Sequence, residues 1–386
     1  MDKKTYKLKD FAEPISVAVT DPQKSCHNIF VGLEHYDSGE PVISRFSDTS
    51  LLNSSCKEFQ KNDILIARRN VYLRRAGIAP FDGLTSGDSI VLRLFKDCEE
   101  RTGISYDVAI KVIPFVLNSN SFWLYANRHA DGMNSKRISK EKVLDYEFYL
   151  PSLAEQKVLA EKLWAAYEVK QSYLKMIAAT EEMVKAQFIE MFGCSAERVA
   201  LSSLCDTFID GDWIEAKDQS DSGIRLIQTG NVGVGTFKDK GDKARYISED
   251  TFNRLNCTEV VEGDILISRL PDPVGRACIV PAGLGKSITA VDCTIIKLND
   301  KVLPKFFVAF TNTPDYAMQI KQVLSGTTRL RISRANLGKI QSPLPTRDKQ
   351  QQFVTIAEQA DKSISELRKS VDAIDKVIKS LINENL

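Results

Sequence analysis

The chain has 386 residues, of which 43% are hydrophobic and 27% charged, with a formal net charge of +1. That length admits two domains with full cores. The composition is that of a globular protein rather than a disordered one, and the near-neutral charge argues against a protein that coats nucleic acid through bulk basicity, though a mean can hide local basic stripes. The eight cysteines stand singly without a CxxC, and the three histidines lack metal-ligand spacing. Free thiols in a reducing cytosol, and no metal, are therefore expected. The opening MDKKTYKLKDFAEP lacks the apolar stretch of a signal peptide. No run approaches the apolar length of a membrane span, so a cytoplasmic protein is expected.

In chain order, residues 1–150 read as a strand-rich mixed α/β unit. Ile64-Leu65-Ile66 and Ile90-Val91-Leu92 are short apolar runs bounded by turn residues, and residues 108–128 look helical. Residues 152–192 contain no proline or glycine and predict one long helix, entered through Leu150-Pro151 and closed by Gly193. Residues 194–344 return to the mixed texture, with strands at Ile265-Leu266-Ile267 and Thr294-Ile295-Ile296 and a helix over 306–324 that Pro314 interrupts. From residue 346 a second long helix runs to the C-terminus. In it Ile364, Leu367, Val371, Ile374, Ile378 and Leu381 are spaced 3, 4, 3, 4, 3, the pattern of a coiled-coil seam.

The first long helix is less regular. An offset of 194 (345 − 151) puts Lys170, Thr180 and Gln187 where the second helix has Ile364, Ile374 and Leu381. Leu174, Met183 and Phe188 lie beside those positions, so its apolar face is broader and rotated. Tyr173, Ile177, Val184 and Phe188 are the residues expected to meet the seam.

The chain is also written twice. Residues 62–80 and 263–281 align without a gap at an offset of 201 (264 − 63), with Asp63/Asp264, Arg68/Arg269, Arg75/Arg276 and Pro80/Pro281 among the identities. Further echoes follow in order. Lys111-Val112-Ile113-Pro114 matches Lys301-Val302-Leu303-Pro304, Gly132 with Arg137-Ile138-Ser139 matches Gly326 with Arg331-Ile332-Ser333, and Leu150-Pro151 with Gln156 matches Leu344-Pro345 with Gln350. Such a duplication suggests two similar surfaces in one chain. The expected architecture is α+β: two similar mixed α/β domains, 1–150 and 194–344, joined by helices over 151–193 and 345–386. If those helices pair, they most simply run antiparallel as a coiled coil with pseudo-two-fold symmetry and one globular unit at each end. About 40 residues at 1.5 Å each make a rod of roughly 60 Å.

Basic residues recur at matching places near turn-forming glycines and prolines. Arg68, Arg69, Arg74 and Arg75 fall in the first copy, joined by Lys136 and Arg137; Arg269 and Arg276 fall in the second, joined by Arg329, Arg331 and Arg334. Loop arginines suit DNA, because a guanidinium reads guanine edges bidentately and grips phosphate by charge. The arginines shared by both copies (68/269, 75/276, 137/331) suit phosphate-backbone contact or scaffolding. The unshared Arg69, Arg74, Arg329 and Arg334 suit base reading, which must differ between halves.

Catalytic patterns fall short. Gly283-Leu284-Gly285-Lys286-Ser287 ends like a phosphate loop but has Val280 where the pattern needs glycine. Asp210 with Glu215 and Lys217 is a weak acidic cluster, and the Asn/Asp-Pro-Pro-Tyr/Phe tetrapeptide of amino-methyltransferases is missing. A non-catalytic chain that binds no cofactor of its own is expected. One reading open to it is a coiled-coil interaction scaffold without sequence-specific DNA binding.

Leu150-Pro151-Ser152-Leu153-Ala154-Glu155-Gln156 opening the central helix resembles the DNA-specificity subunit of type I restriction-modification systems. So do Gly263-Asp264-Ile265-Leu266-Ile267-Ser268, Phe30-Val31-Gly32-Leu33-Glu34 and Ser325-Gly326-Thr327-Thr328 leading into Leu344-Pro345. The resemblance implies two target-recognition domains, each binding half of a split site in double-stranded DNA, held apart by two helical regions. Those regions would, by the same resemblance, dock two methyltransferase subunits. Methylation and cleavage would belong to partner chains, using S-adenosylmethionine and ATP, with ATP-dependent restriction and translocase subunits among them.

Overall fold

The computed structural model describes residues 4–194, 197–327 and 329–386; Thr328, of the Ser-Gly-Thr-Thr motif, lies outside the described residues. The chain divides into two compact units. The first comprises the chain up to Leu174 together with Arg368–Leu386, and the second is Lys175–Leu367. No helix is long and apolar enough to cross a membrane, among the described residues.

The first unit is built on a four-stranded antiparallel sheet in the order Ala12–Ile15, Ser89–Leu94, Ile64–Ala67, Ala76–Ile78. Successive side chains of a strand face opposite ways. Ile64, Ile66, Ile90 and Leu92 therefore pack with Val112, Ile113, Phe122 and Trp123 of the helices. Leu65, Ala67 and Val91 pack with Val31 and Phe59 of a second, five-stranded sheet. Burial on both faces explains why these strands read as unbroken apolar runs rather than as alternating ones. A two-stranded ribbon, Lys4–Lys7 against Glu147–Leu150, leads into the first long helix.

The second unit repeats this plan. Its central sheet runs Cys205–Asp210, Cys293–Leu298, Ile265–Ser268, Ala277–Ile279. Ile265, Ile267 and Ile296 face the helices, while Leu266 and Ile295 face the second sheet. In both units the second sheet holds one parallel pair, Ile29–Val31 with Gly83–Thr85 and Ile224–Ile227 with Ser287–Thr289.

Each helical stretch anticipated after the central sheet is two helices. Residues 108–128 fall on Tyr106–Val116 and Asn120–His129, divided at Ser119, whose side chain caps Phe122 N. Residues 306–324 fall on Pro304–Phe310 and Pro314–Gln322. Pro314 does not break a helix but opens one. It sits in the first turn, where a missing N–H costs nothing, behind the Thr313 cap. The two caps lie 194 apart (313 − 119), whereas Lys-Val-Ile-Pro and Lys-Val-Leu-Pro lie 190 apart (301 − 111). That echo is therefore one helical turn out of structural register: Ile113-Pro114 is helix interior, and Leu303-Pro304 is helix entry.

The slip has a consequence at the matched glutamines. Gln350 is fully buried; its Oε1 accepts from Leu303 N at 2.9 Å, and its Nε2 donates to Lys301 O and Pro345 O, each at 2.9 Å. Gln156 donates to Pro151 O at 2.8 Å, but its Oε1 is buried without a partner. The residue matched to Leu303 at the offset of 194 is Ala109 (303 − 194), and its N–H is spent within a helix on Ser105 O.

The long helices are Leu153–Phe192 and Arg347–Asn385. Ser152 and Glu155 box the start of the first, with Ser152 N donating to the carboxylate at 3.0 Å. All six seam residues of the second helix, Ile364, Leu367, Val371, Ile374, Ile378 and Leu381, are half-buried on one face. In the first unit Leu159 and Leu163 pack with Ile382, and Lys170 pairs with Asp375 at 2.7 Å, so the helices run antiparallel there. In the second unit Phe188 and Phe192 pack on Phe353 and Phe306, with Val184 beside them.

On the first helix Ile177 and Phe188 are buried and Tyr173 and Val184 half-buried, while Leu174 and Met183 stay exposed. The anticipated broad apolar face is thus a narrow one. Lys170 takes its place in it because Asp375 and Glu40 both pair with its amine. Burial alone would depress that amine's pKa, but the two carboxylates hold it above the ordinary lysine value.

Candidate nucleic-acid interface

In each unit a buried aspartate starts the strand whose far end carries the arginines. Asp63 accepts from Gln60 N at 2.8 Å and from Arg93 at 2.8 and 2.7 Å. Asp264 accepts from Val261 N at 3.0 Å, with Lys297 Nζ at 3.9 Å; burial pushes its carboxyl pKa up. At the other end, Arg68 N donates to Asp88 O at 3.0 Å and Arg68 O accepts from Ile138 N at 3.0 Å. Arg269 repeats this with Asp292 O at 2.9 Å and Ile332 N at 3.2 Å.

These bonds pin a basic loop to the sheet in both units. Asp131 and Arg137 exchange backbone hydrogen bonds across the first loop, as Ser325 and Arg331 do across the second. Gly132 and Gly326 turn the chain at φ of +109° and +101°. A Cβ at Gly326 would stand 2.4 Å from Arg329 O, so only glycine fits that turn.

The candidate cations divide into two kinds. Arg75 donates to Leu33 O at 2.7 Å and Arg69 O at 3.0 Å, and burial lowers its pKa without discharging it. Arg276 donates to Val232 O, Pro271 O, Pro273 O and Thr229 O at 2.6–2.9 Å. Arg269 donates to Val291 O at 2.7 Å and Ile332 O at 3.3 Å. These guanidinia tie loops together, satisfying carbonyls that no sheet partner reaches.

Arg68 is half-buried, and the remainder face solvent. Arg69 donates to Ser135 Oγ at 2.8 Å, Arg137 lies 3.3 Å from the Asp88 carboxylate, and Lys136 is exposed. Arg74 donates to Asn120 Oδ1 at 2.7 Å from a turn in which it and Asn70 both hold positive φ. That conformation is uncommon outside glycine. It displays Tyr72, which is 60% exposed and which composition gave no reason to single out. In the second unit Arg329 and Arg331 are exposed and form no ion pair, among the described residues. Arg334 lies 3.9 Å from the Asp210 carboxylate, which Arg269 Nε meets at 3.3 Å. Asp210, read in sequence as part of an acidic cluster, is thus engaged by arginines, and Glu215 by Lys217 at 2.8 Å.

Exposed guanidinia on glycine-turned loops, fastened to a rigid sheet, suit oxyanions and base edges. Residues 196–374 match the family model described as the type I restriction modification DNA specificity domain. No curated protein matches the chain. Among solved structures, a chain from a study of complex assembly and conformational transition in a type I R-M system is similar at 16% identity and TM-score 0.54, covering 99% of this chain and 97% of that one. The type I restriction-modification system S subunit from M. genitalium is similar at 11% identity and TM-score 0.51, covering 99% of this chain and 95% of that one. Residues 196–374 belong to the family of type I restriction modification DNA specificity domains, and the chain as a whole shares the fold of these two solved chains.

Proposed function

We propose that the chain is the sequence-reading subunit of a type I restriction-modification complex, each unit binding one half of a split duplex site. The observation that carries this reading is the duplicated loop: both units fix a glycine-turned, arginine-bearing segment to the same end of the same sheet. The long helices dock two methyltransferase subunits and set the separation of the half-sites. Methyl transfer with S-adenosylmethionine, and any ATP-driven cleavage, belong to those partners and to restriction subunits joined to them.

A filter-binding titration with mixed-sequence duplex, with and without methyltransferase subunits, tests the proposal. Expected is binding whose affinity falls steeply and linearly on a log–log plot against salt, as released counterions require. Absence of duplex binding at every salt concentration, with the methyltransferase still captured, would leave an interaction scaffold instead.

A further inference from the structure

In the second unit one carboxylate, Asp210, meets both Arg269 and Arg334, and the matching place in the first unit holds no carboxylate. Ile15 lies opposite Val91 and Ile209 opposite Ile295, in central strands matched at an offset of 204 (293 − 89). Ser16 therefore occupies the place of Asp210. Arg269 and Arg334, which meet Asp210, correspond to Arg68 and Lys140. Neither Arg68 nor Lys140 forms an ion pair among the described residues. Nε of both Arg68 and Arg269 is buried without a hydrogen bond, but Arg269 Nε has the Asp210 carboxylate at 3.3 Å and Arg68 Nε has no carboxylate paired with it among the described residues.

Where the carboxylate is missing, a cavity of about 300 Å³ opens, lined among others by Ser16, Lys57, Arg68, Ser139, Lys140 and Glu141. Lys57 is anchored there by Gly87 O at 3.0 Å and Ser89 O at 2.7 Å. Burial, then the neighbouring Arg68 and Lys140, hold its amine below the ordinary lysine value, and Asp88 opposes them. Asp88 itself is shared with Arg137 and Arg69. Glu141 is the one carboxylate in the lining, so the three cations leave an excess of two positive charges. A buried guanidinium edge without a partner, amid uncompensated charge, is a site for an anion from outside.

We propose that this cavity binds a phosphoryl oxyanion in the place that Asp210 fills in the second unit. Two sources share that chemistry: a phosphate of the duplex backbone, which rests on the function proposed above, and free inorganic phosphate, which does not.

Ser16→Asp in the full chain copies the arrangement the second unit already tolerates. Lys140→Gln removes one cation from an exposed position without adding charge. Inorganic phosphate, at constant ionic strength, is expected to raise the melting temperature of the wild type but not of Ser16→Asp, with Lys140→Gln reduced in the same direction. Loss of phosphate stabilisation with unchanged duplex affinity supports the free-phosphate source. A duplex-binding salt slope shallower by about 1 in Ser16→Asp supports the backbone source. If Ser16→Asp changes neither phosphate response nor duplex binding, the proposal is overturned. A wild type that binds no duplex at all sinks only the DNA role, since the phosphate arm is read separately.

Discussion

Phe353→Ala is expected to destabilise the second unit by about 3–5 kcal/mol, the usual range for deleting a fully buried ring. Phe353 has no exposed surface and contacts Phe188, Phe192 and Phe306 with ring centroids 5.1, 5.9 and 6.4 Å away. It is the point where both long helices and the helical layer of that unit meet, so little can collapse into the hole. Ile364→Ala, on the half-buried seam, should cost much less, because water already reaches that position. Urea unfolding of both variants measures the contrast. Equal losses would mean that the seam, and not the aromatic cluster, holds the helices to this unit.

Replacing Arg329 and Arg331 together with alanine is expected to weaken duplex binding across sequences. The log–log salt slope should become shallower by about 2, near 1 for each phosphate no longer neutralised. Both side chains are exposed on the glycine-turned loop and compensate no carboxylate, among the described residues, so folding should be nearly unaffected. Arg276→Ala should do the reverse. Its guanidinium serves four carbonyls, and its removal should lower stability by about 1.5–3 kcal/mol, as for hydrogen bonds to a charged group. Parallel salt titrations and unfolding curves separate the two outcomes. A salt slope unchanged in Arg329→Ala/Arg331→Ala would remove this loop from the interface.

The contrast between those arginines marks where the sequence stops being legible. The central strands could be read because burial on both faces makes Ile64–Ala67 and Ile265–Ser268 apolar throughout. The second helix could be read because its seam keeps heptad spacing. Lys170 hid the seam of the first helix, since its fitness for a buried place depends on Glu40 and Asp375, far away in the chain. Arg74 and Arg276 look alike in sequence; only the folded loops decide that one meets Asn120 and solvent while the other faces carbonyls. The Lys-Val-Ile-Pro echo misled by one turn because a short apolar motif suits both the interior and the entry of a helix. The exchange of Asp210 for Ser16 could not be seen either, because it rests on strand register rather than on any shared motif.

Selection of bound duplexes from a randomised pool by the full chain with its methyltransferase partners addresses two-headed recognition most directly. Recovered sequences should contain two short fixed blocks separated by an unread run of constant length. Recovery of a single contiguous block, or of sequences sharing nothing, would contradict it.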